Sequence, residues 1–230
     1  MLGVIGGVAF SKAEIFKNAN IEKIKTHYGV VEMLLIEKFS FIPRHGIQGK
    51  VPPHKINHPA NILAFMEKGI TKIIGVNSVG SLKPEISPLS ILIPQDYINL
   101  WDIATYYDEK IVHIIPGLDE KLRQNLLSLA KKYGLKVIEK GVYIQTIGPR
   151  LETKAEIDMI KNFGDVVGMT MANEATLAKE LELSYASICT VDNYAHGIGD
   201  KPLTSEIIIK NAESNSTKVR DFIFKIAEEL

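Results

Sequence analysis

The sequence predicts an α/β fold: a mixed, largely parallel central sheet flanked by helices, formed by one domain spanning residues 1–230. Three observations carry this expectation. Short apolar runs alternate with longer stretches of helical period, the pattern of a parallel sheet covered on both faces. Hydrophobic residues make up 46% of the chain, enough for a substantial packed core. No repeat, low-complexity stretch or linker divides it.

Taken in order, Leu2–Ile5 is an apolar strand closed by Gly6-Gly7. Val30–Glu37 is the next strand, part of an extended run reaching Ile42. Pro59–Lys68 has helical period, and Lys72–Val76 and Ile91–Pro94 are β-rich apolar runs. Asp119–Tyr133 opens on an acidic cap and reads as a helix, followed by a strand over Val137–Thr146. Pro149 and Thr153 flank the start of a helix over Thr153–Phe163. Val166–Met169 is a strand, Asn173–Leu181 a helix and Tyr185–Val191 a strand. In Ser205–Glu229, Ile207, Ile208, Val219, Phe222, Phe224 and Ile226 stand among charges, so this last helix packs one face only.

Bulk properties exclude several classes of function. Lys+Arg and Asp+Glu balance at 27 each, which gives no support for nucleic-acid or membrane-surface binding. Any anion is therefore recognised locally. The single cysteine, Cys189, lies in an apolar run and has no internal disulfide partner, in keeping with a reducing cytoplasm. The start MLGVIGG lacks the basic and apolar regions of a leader, and no window approaches the ~20 apolar residues of a membrane span. The prolines at 52, 53 and 59 make a helical metal pair of His54 and His58 an unfavourable reading.

Ligands of such sheets collect where strands end, because loops and helix starts supply donors there. Gly6-Gly7, Asn77–Ser81, Thr170 and Asp192-Asn193 all fall at expected strand ends. Phe41–Lys55 (FIPRHGIQGKVPPHK) adds Arg44 and His45 in a turn, in a chain with 4 arginines and 6 histidines. Arg44 offers a planar fork for an oxyanion, and His45 a donor whose charge changes near neutrality. The same pair also suits a surface turn satisfying its own carbonyls. Gly6-Gly7 suits a tight turn as well as an anion cradle, and Asn77-Ser78 a strand end bonding its own turn.

RHG, then KINHPAN at Lys55–Asn61, GVNSVGSL at Gly75–Leu82, GPRLETKAE at Gly148–Glu156 and VGMTMANEA at Val167–Ala175 occur in that order. Together they resemble the trimeric purine nucleoside and methylthioadenosine phosphorylases, over nearly the whole chain. The resemblance implies a phosphate site made by Arg44, His45, Asn77, Ser78 and Thr170. It implies that Met169 packs on ribose and base, although a core thioether is an equal reading. Glu152, preceded by Leu151, stands where 6-oxopurine members accept from the ring N1–H, and Asn193 where they donate to O6 and N7. Glu152 also suits an acid at a helix start. A register slip of one residue would put Asp192 in the place of Asn193 and favour a 6-aminopurine. Thr204 stands nearest the residue that meets the 5′ substituent, and His113 resembles a histidine lent by a neighbouring subunit. One departure is clear: where the family has a phosphate-binding hydroxyl after the glycines, this chain has Val8-Ala9.

The implied reaction is phosphorolysis of a 6-oxopurine or 5′-methylthiopurine nucleoside to free purine and a ribose 1-phosphate. Asn193 and Glu152 would stabilise the departing base. Inorganic phosphate is the co-substrate, with no metal or organic cofactor. The implied assembly is a homotrimer or a dimer of trimers, binding no nucleic acid or membrane. Alternatives from other classes are a nucleosidase using water, for which Val8-Ala9 argues, and a non-catalytic purine-binding protein. His196, in Ala195–Gly199, reads as a loop residue with a possible gating role.

Overall fold

The computed structural model describes residues 1–12, 16, 19–200 and 202–230. A ten-stranded sheet runs through it. Strands β1 (Leu2–Gly6), β4 (Phe39–Pro43), β5 (Lys72–Ser81) and β10 (Ser184–Tyr194) form its parallel centre, in the spatial order β4-β1-β5-β10. On one side the hairpin of β2 (Asn20–Thr26) and β3 (Gly29–Leu35) extends β4 antiparallel. On the other, β9 (Val166–Gly168) crosses the end of β5 antiparallel and leads a parallel trio with β8 (Val142–Gln145) and β7 (Asp96–Asn99). The two-residue β6 (Ile91–Leu92) pairs with β10.

The helices are α1 (Val8–Ser11), α2 (His58–Glu67), α3 (Glu120–Lys132), α4 (Lys154–Ile160), α5 (Met171–Glu180) and α6 (Ser205–Ile226). Strand residues alternate between two cores, as a period of two requires. Ile5, Ile73, Tyr185 and Cys189 face the side packed by Ile62 and Phe65 of α2 and Leu177 of α5. Val4, Ile74, Ala186 and Ile188 face the side packed by Leu122 and Leu126 of α3 and Val219, Phe222 and Ile223 of α6. The sheet is thus buried on both faces, and the α/β class read from the sequence is the one found. Cys189 is fully buried, and burial pushes its thiol up to about 12, so it is a core residue.

Several elements differ from the sequence reading. β2 and β7 escape it because they are the outer strands of the path, where NIEKIKT and DYIN bury little and carry polar residues on both faces. The strand expected over Val137–Thr146 shrinks to β8, its first part laddered to the sheet by an isolated bridge between Ile138 and Leu92. β5 and β10 run past their expected ends, so Asn77–Ser81 and Asp192-Asn193 lie on strands rather than in loops. The backbone that carries these groups is therefore laddered and rigid. Among the described residues no set of three His, Cys, Asp or Glu side chains is placed to hold a metal ion.

Tyr143 of β8 fixes the start of α5. Its ring is fully buried, and its hydroxyl accepts from the amides of Thr170 (3.1 Å) and Met171 (3.3 Å). Gln145 Oε1 accepts from Ala172 (2.7 Å) and Asn173 (3.3 Å), so the first amides of α5 have protein partners. Tyr143→Phe keeps the ring but strands two buried donors. It is expected to cost roughly 1–3 kcal/mol, read from the midpoint of denaturant unfolding at unchanged slope.

Candidate active site

A cavity of about 330 Å³ opens at the carboxyl ends of β1, β5, β9 and β10. Val8, Arg44, His45, Ser78 and Thr170 line it, as do Leu151, Glu152, Met169, Asp192 and Asn193. These residues, expected as a site from the sequence, therefore share one space.

Arg44 follows β4, its amide bonded to the Gly6 carbonyl at 2.9 Å. Its guanidinium is buried, with Nε and Nη2 donating to the two carboxylate oxygens of Glu174 on α5. Nη1 donates to the Val76 carbonyl (2.9 Å) and Nη2 also to that of Ile5 (3.3 Å). Four of its five N–H groups are thus engaged, and the last belongs to Nη1, which lies nearest Gly7. Burial works against the charge of Arg44, but Glu174 outweighs it and holds the group above its ordinary value.

Glu174 is the residue that the sequence reading missed. It is fully buried and also accepts from the Tyr185 hydroxyl at 2.7 Å. Gly75 makes room for this contact, since a Cβ there would fall 1.9 Å from the Tyr185 oxygen. One signal was present: in α5 (MANEATLAKE) Glu174 sits among small and apolar residues that are themselves buried. A lone acid on such a face requires a cation or a set of donors.

His45 donates from Nδ1 to the Val51 carbonyl at 2.7 Å, which leaves Nε2 as the group free to meet a ligand. Burial keeps its charged form below the ordinary histidine range, opposed by the Val51 bond. Asn77 does not line the cavity. Its side chain is buried, accepting from Ser187 Oγ (2.8 Å) and donating to Thr170 Oγ1 (2.9 Å). Thr170 occupies the cap position of α5 without making a side-chain cap, so its own O–H remains available. Ser78 presents its side chain to the cavity, but its proton is committed to Asp192 Oδ2 at 2.5 Å.

Asp192 and Asn193 are consecutive yet both line the cavity, because β10 carries a bulge there: Val191 pairs with Val79 and Asn193 with Gly80. Asp192 is fully buried and accepts also from Thr190 Oγ1 (3.0 Å) and Asn215 Nδ2 (2.8 Å). Asn193 spends one N–H on the Tyr194 carbonyl (2.8 Å), leaving the other N–H and its carbonyl oxygen. Glu152 accepts from Thr146 Oγ1 at 2.6 Å. It is not needed at the start of α4, where Thr153 and Glu156 form a reciprocal capping box. His196 approaches the Glu152 carbonyl through Nδ1 at 3.3 Å.

Two expected residues stand elsewhere. Thr204 caps α6, its hydroxyl oxygen accepting from Ile207 N at 3.4 Å, and its neighbour Leu203 takes the cavity wall instead. His113 is exposed, in a segment without regular structure, and does not line the cavity. Ile208, Ile209 and Ala212 of α6 also line the cavity and add to the apolar surface of Leu203.

Two buried groups give stability opposite dependences on pH. Burial lifts Asp192 from 3.8 to about 6, against the bonds from Ser78, Asn215 and Thr190. Burial lowers His58 from 6.5 to about 4, against the carboxylate of Glu174. Between about 4 and 6 the native state holds Asp192's proton more tightly than the unfolded chain, so its contribution falls as pH rises. His58 binds its proton less tightly when folded, so its contribution rises over about 4 to 6.5. Each is worth roughly 3 kcal/mol at 1.4 kcal/mol per pH unit, and the two nearly cancel. Asp192→Asn should unmask His58: urea unfolding should show the variant gaining roughly 3 kcal/mol relative to wild type between pH 4 and 6.5. Parallel pH profiles for the two proteins would contradict this account.

Residues 2–228 match the family model described as the phosphorylase superfamily. A protein named probable 6-oxopurine nucleoside phosphorylase, from Archaeoglobus fulgidus, is 44% identical over 100% of this chain and 98% of its own length. One named probable S-methyl-5′-thioinosine phosphorylase, from Methanocaldococcus jannaschii, is 41% identical over 97% of this chain and 92% of its own. The solved methylthioadenosine phosphorylase of Schistosoma mansoni, in complex with adenine, superposes with a TM-score of 0.85 over 98% of this chain and 90% of that one. At 24% identity, that likeness speaks to the fold alone. With the family model matched over residues 2–228 and a relative 44% identical along the whole chain, the chain belongs to the phosphorylase superfamily.

Proposed function

We propose that the protein cleaves 6-oxopurine nucleosides by phosphorolysis, and that the preferred substrate carries a 5′-methylthio group. The observation that carries this reading is a single cavity lined both by anion donors and by a carboxylate and an amide suited to a purine edge. Arg44 Nη1 and the Thr170 hydroxyl supply the first set, and His45 Nε2 joins them as a donor only when the ring is protonated. Glu152 and Asn193 supply the second.

The purine enters with its N1–H toward Glu152 and its O6/N7 edge toward Asn193. Hypoxanthine offers a proton to the carboxylate, whereas adenine offers a lone pair. An acceptor facing an acceptor in a buried site costs roughly 1–3 kcal/mol. As the C1′–N9 bond lengthens, its electron pair passes to the base and positive charge gathers on the ribose, as in other glycosidic cleavages. Asn193 and Glu152 stabilise the departing purine, and phosphate on the opposite side bonds to C1′. Preorganised donors do this work, so no enzyme nucleophile is required. Asn77 serves by holding Thr170 in place. Asp192, engaged by three protein donors, supports the neighbouring strands rather than reading the base. The apolar wall of Leu203, Ile208, Ile209 and Ala212 supports an apolar 5′ substituent, consistent with relatives named for methylthioinosine.

Release of base from inosine, methylthioinosine, adenosine and methylthioadenosine, each with and without phosphate, tests the reading. Phosphate-dependent release of hypoxanthine, faster from the methylthio substrate, is expected. Asn193→Asp should shift the ratio of 6-oxo to 6-amino turnover toward the latter by about tenfold or more. Equal cleavage without phosphate would instead favour a hydrolase, the reading that Val8-Ala9 supports.

The assembly proposed is a homotrimer. Leu100, Trp101, Ile103, Ile111 and Ile115 are exposed apolar side chains along one segment, between 41% and 93% accessible, and such a patch asks for cover. Light scattering should give three times the 25.5 kDa of one chain; a monomer would refute it.

A further inference from the structure

We propose that Lys12 is a phosphate-binding residue, whose ammonium leaves Glu213 and pairs with phosphate when phosphate occupies the cavity. The inference rests on the phosphorolytic reading and adds to it a residue, and a rearrangement, absent from the motifs that define the site.

Two cationic side chains line the cavity among the described residues, Arg44 and Lys12. Arg44 is already neutralised, because Glu174 takes its fork and leaves one N–H for a ligand. His45 is held toward its neutral form by burial. Glu152 and Asp192 add carboxyl groups to the same lining. A phosphate dianion therefore enters a space whose arginine brings no surplus charge. The first amides of α5, the other ready source of anion donors, have Tyr143 and Gln145 as partners. After Gly7, Val8 has no side-chain donor to offer. The lysine ammonium is the remaining full positive charge facing the ligand.

Its position suits the task. Lys12 closes the short helix α1, which starts directly after Gly7. Its Nζ lies 3.0 Å from Glu213 Oε1 on α6, and both side chains are more than half exposed. Glu213 also lines the cavity. An exposed lysine–carboxylate pair is weak, whereas a doubly charged oxyanion with several oxygens is the stronger partner. A flexible four-carbon stem allows the exchange without backbone movement. Glu213 is then the competitor of phosphate for one cation, and it releases that cation only when a stronger anion is present. The ion pair thus holds the lysine at the cavity mouth while the site is empty.

This role and a purely structural one predict opposite patterns. KM for phosphate and KM for nucleoside are measured for wild type, Lys12→Gln, Lys12→Arg and Glu213→Gln, with thermal midpoints as folding controls. Lys12→Gln should raise the phosphate KM about tenfold, as loss of a charge-assisted contact does, and affect the nucleoside KM far less. Lys12→Arg should restore most of the loss. Glu213→Gln should lower the phosphate KM, since it removes the competitor. If the pair merely ties α1 to α6, Lys12→Gln and Glu213→Gln change the phosphate KM in the same direction, and the proposal fails. It fails also if Lys12→Gln leaves the phosphate KM of a phosphate-dependent enzyme unaltered, or acts chiefly on the nucleoside KM. A wild-type enzyme indifferent to phosphate would overturn the phosphorolytic reading and this one together, and that arm is read without any variant.

Discussion

The buried pair of Arg44 and Glu174 is the constraint on which the rest of the site depends. Each charge lies in the protein interior balanced by the other, and removal of one partner of such a pair costs about 3–5 kcal/mol. Their contacts join five elements: Arg44 beyond β4, the carbonyls of Ile5 on β1 and Val76 on β5, Glu174 on α5 and Tyr185 on β10. Tyr185 reaches the carboxylate only because β5 has glycine at position 75. The floor of the cavity is thus an electrostatic knot, and the side chains above it inherit its rigidity.

A second principle is the commitment of protons. Ser187 donates to Asn77, Asn77 donates to Thr170, and Thr170 is left with its own hydroxyl proton to give. Ser78 has its proton taken by Asp192 and presents lone pairs instead. Two hydroxyls in one cavity are therefore biased in opposite senses by residues behind them. Such a bias costs nothing at the moment of reaction, because folding has already set it.

Much of this was legible in the sequence. The alternation of apolar runs and helices gave the α/β class, and ordered motifs gave Arg44, His45, Thr170, Glu152 and Asn193. What stayed hidden depends on contacts distant in sequence. Glu174 lies 130 residues from Arg44, and only the fold shows that the arginine's fork is already filled. Asn77 reads as a ligand by position, but its neighbours Ser187 and Thr170 come from other elements and take both ends of its amide. Thr204 fails for a local reason, since a threonine before a helix serves the backbone first. The outer strands β2 and β7 are polar enough to read as loops, and pairing with a neighbour makes them strands.

The bulge in β10 accounts for why Asp192 and Asn193 were hard to tell apart. In a straight strand, neighbours point to opposite faces, and a slip of one residue exchanges them. Here two residues stand against Gly80 alone, so both reach the same space. Which of the two stands opposite Gly80 is then a matter of where one extra residue is accommodated. Loss of a single residue at this point would straighten the ladder and rotate everything beyond it, Tyr194 and Ala195 included. Within this architecture, a change of length by one would reset several cavity-lining side chains at once, where a point substitution alters one.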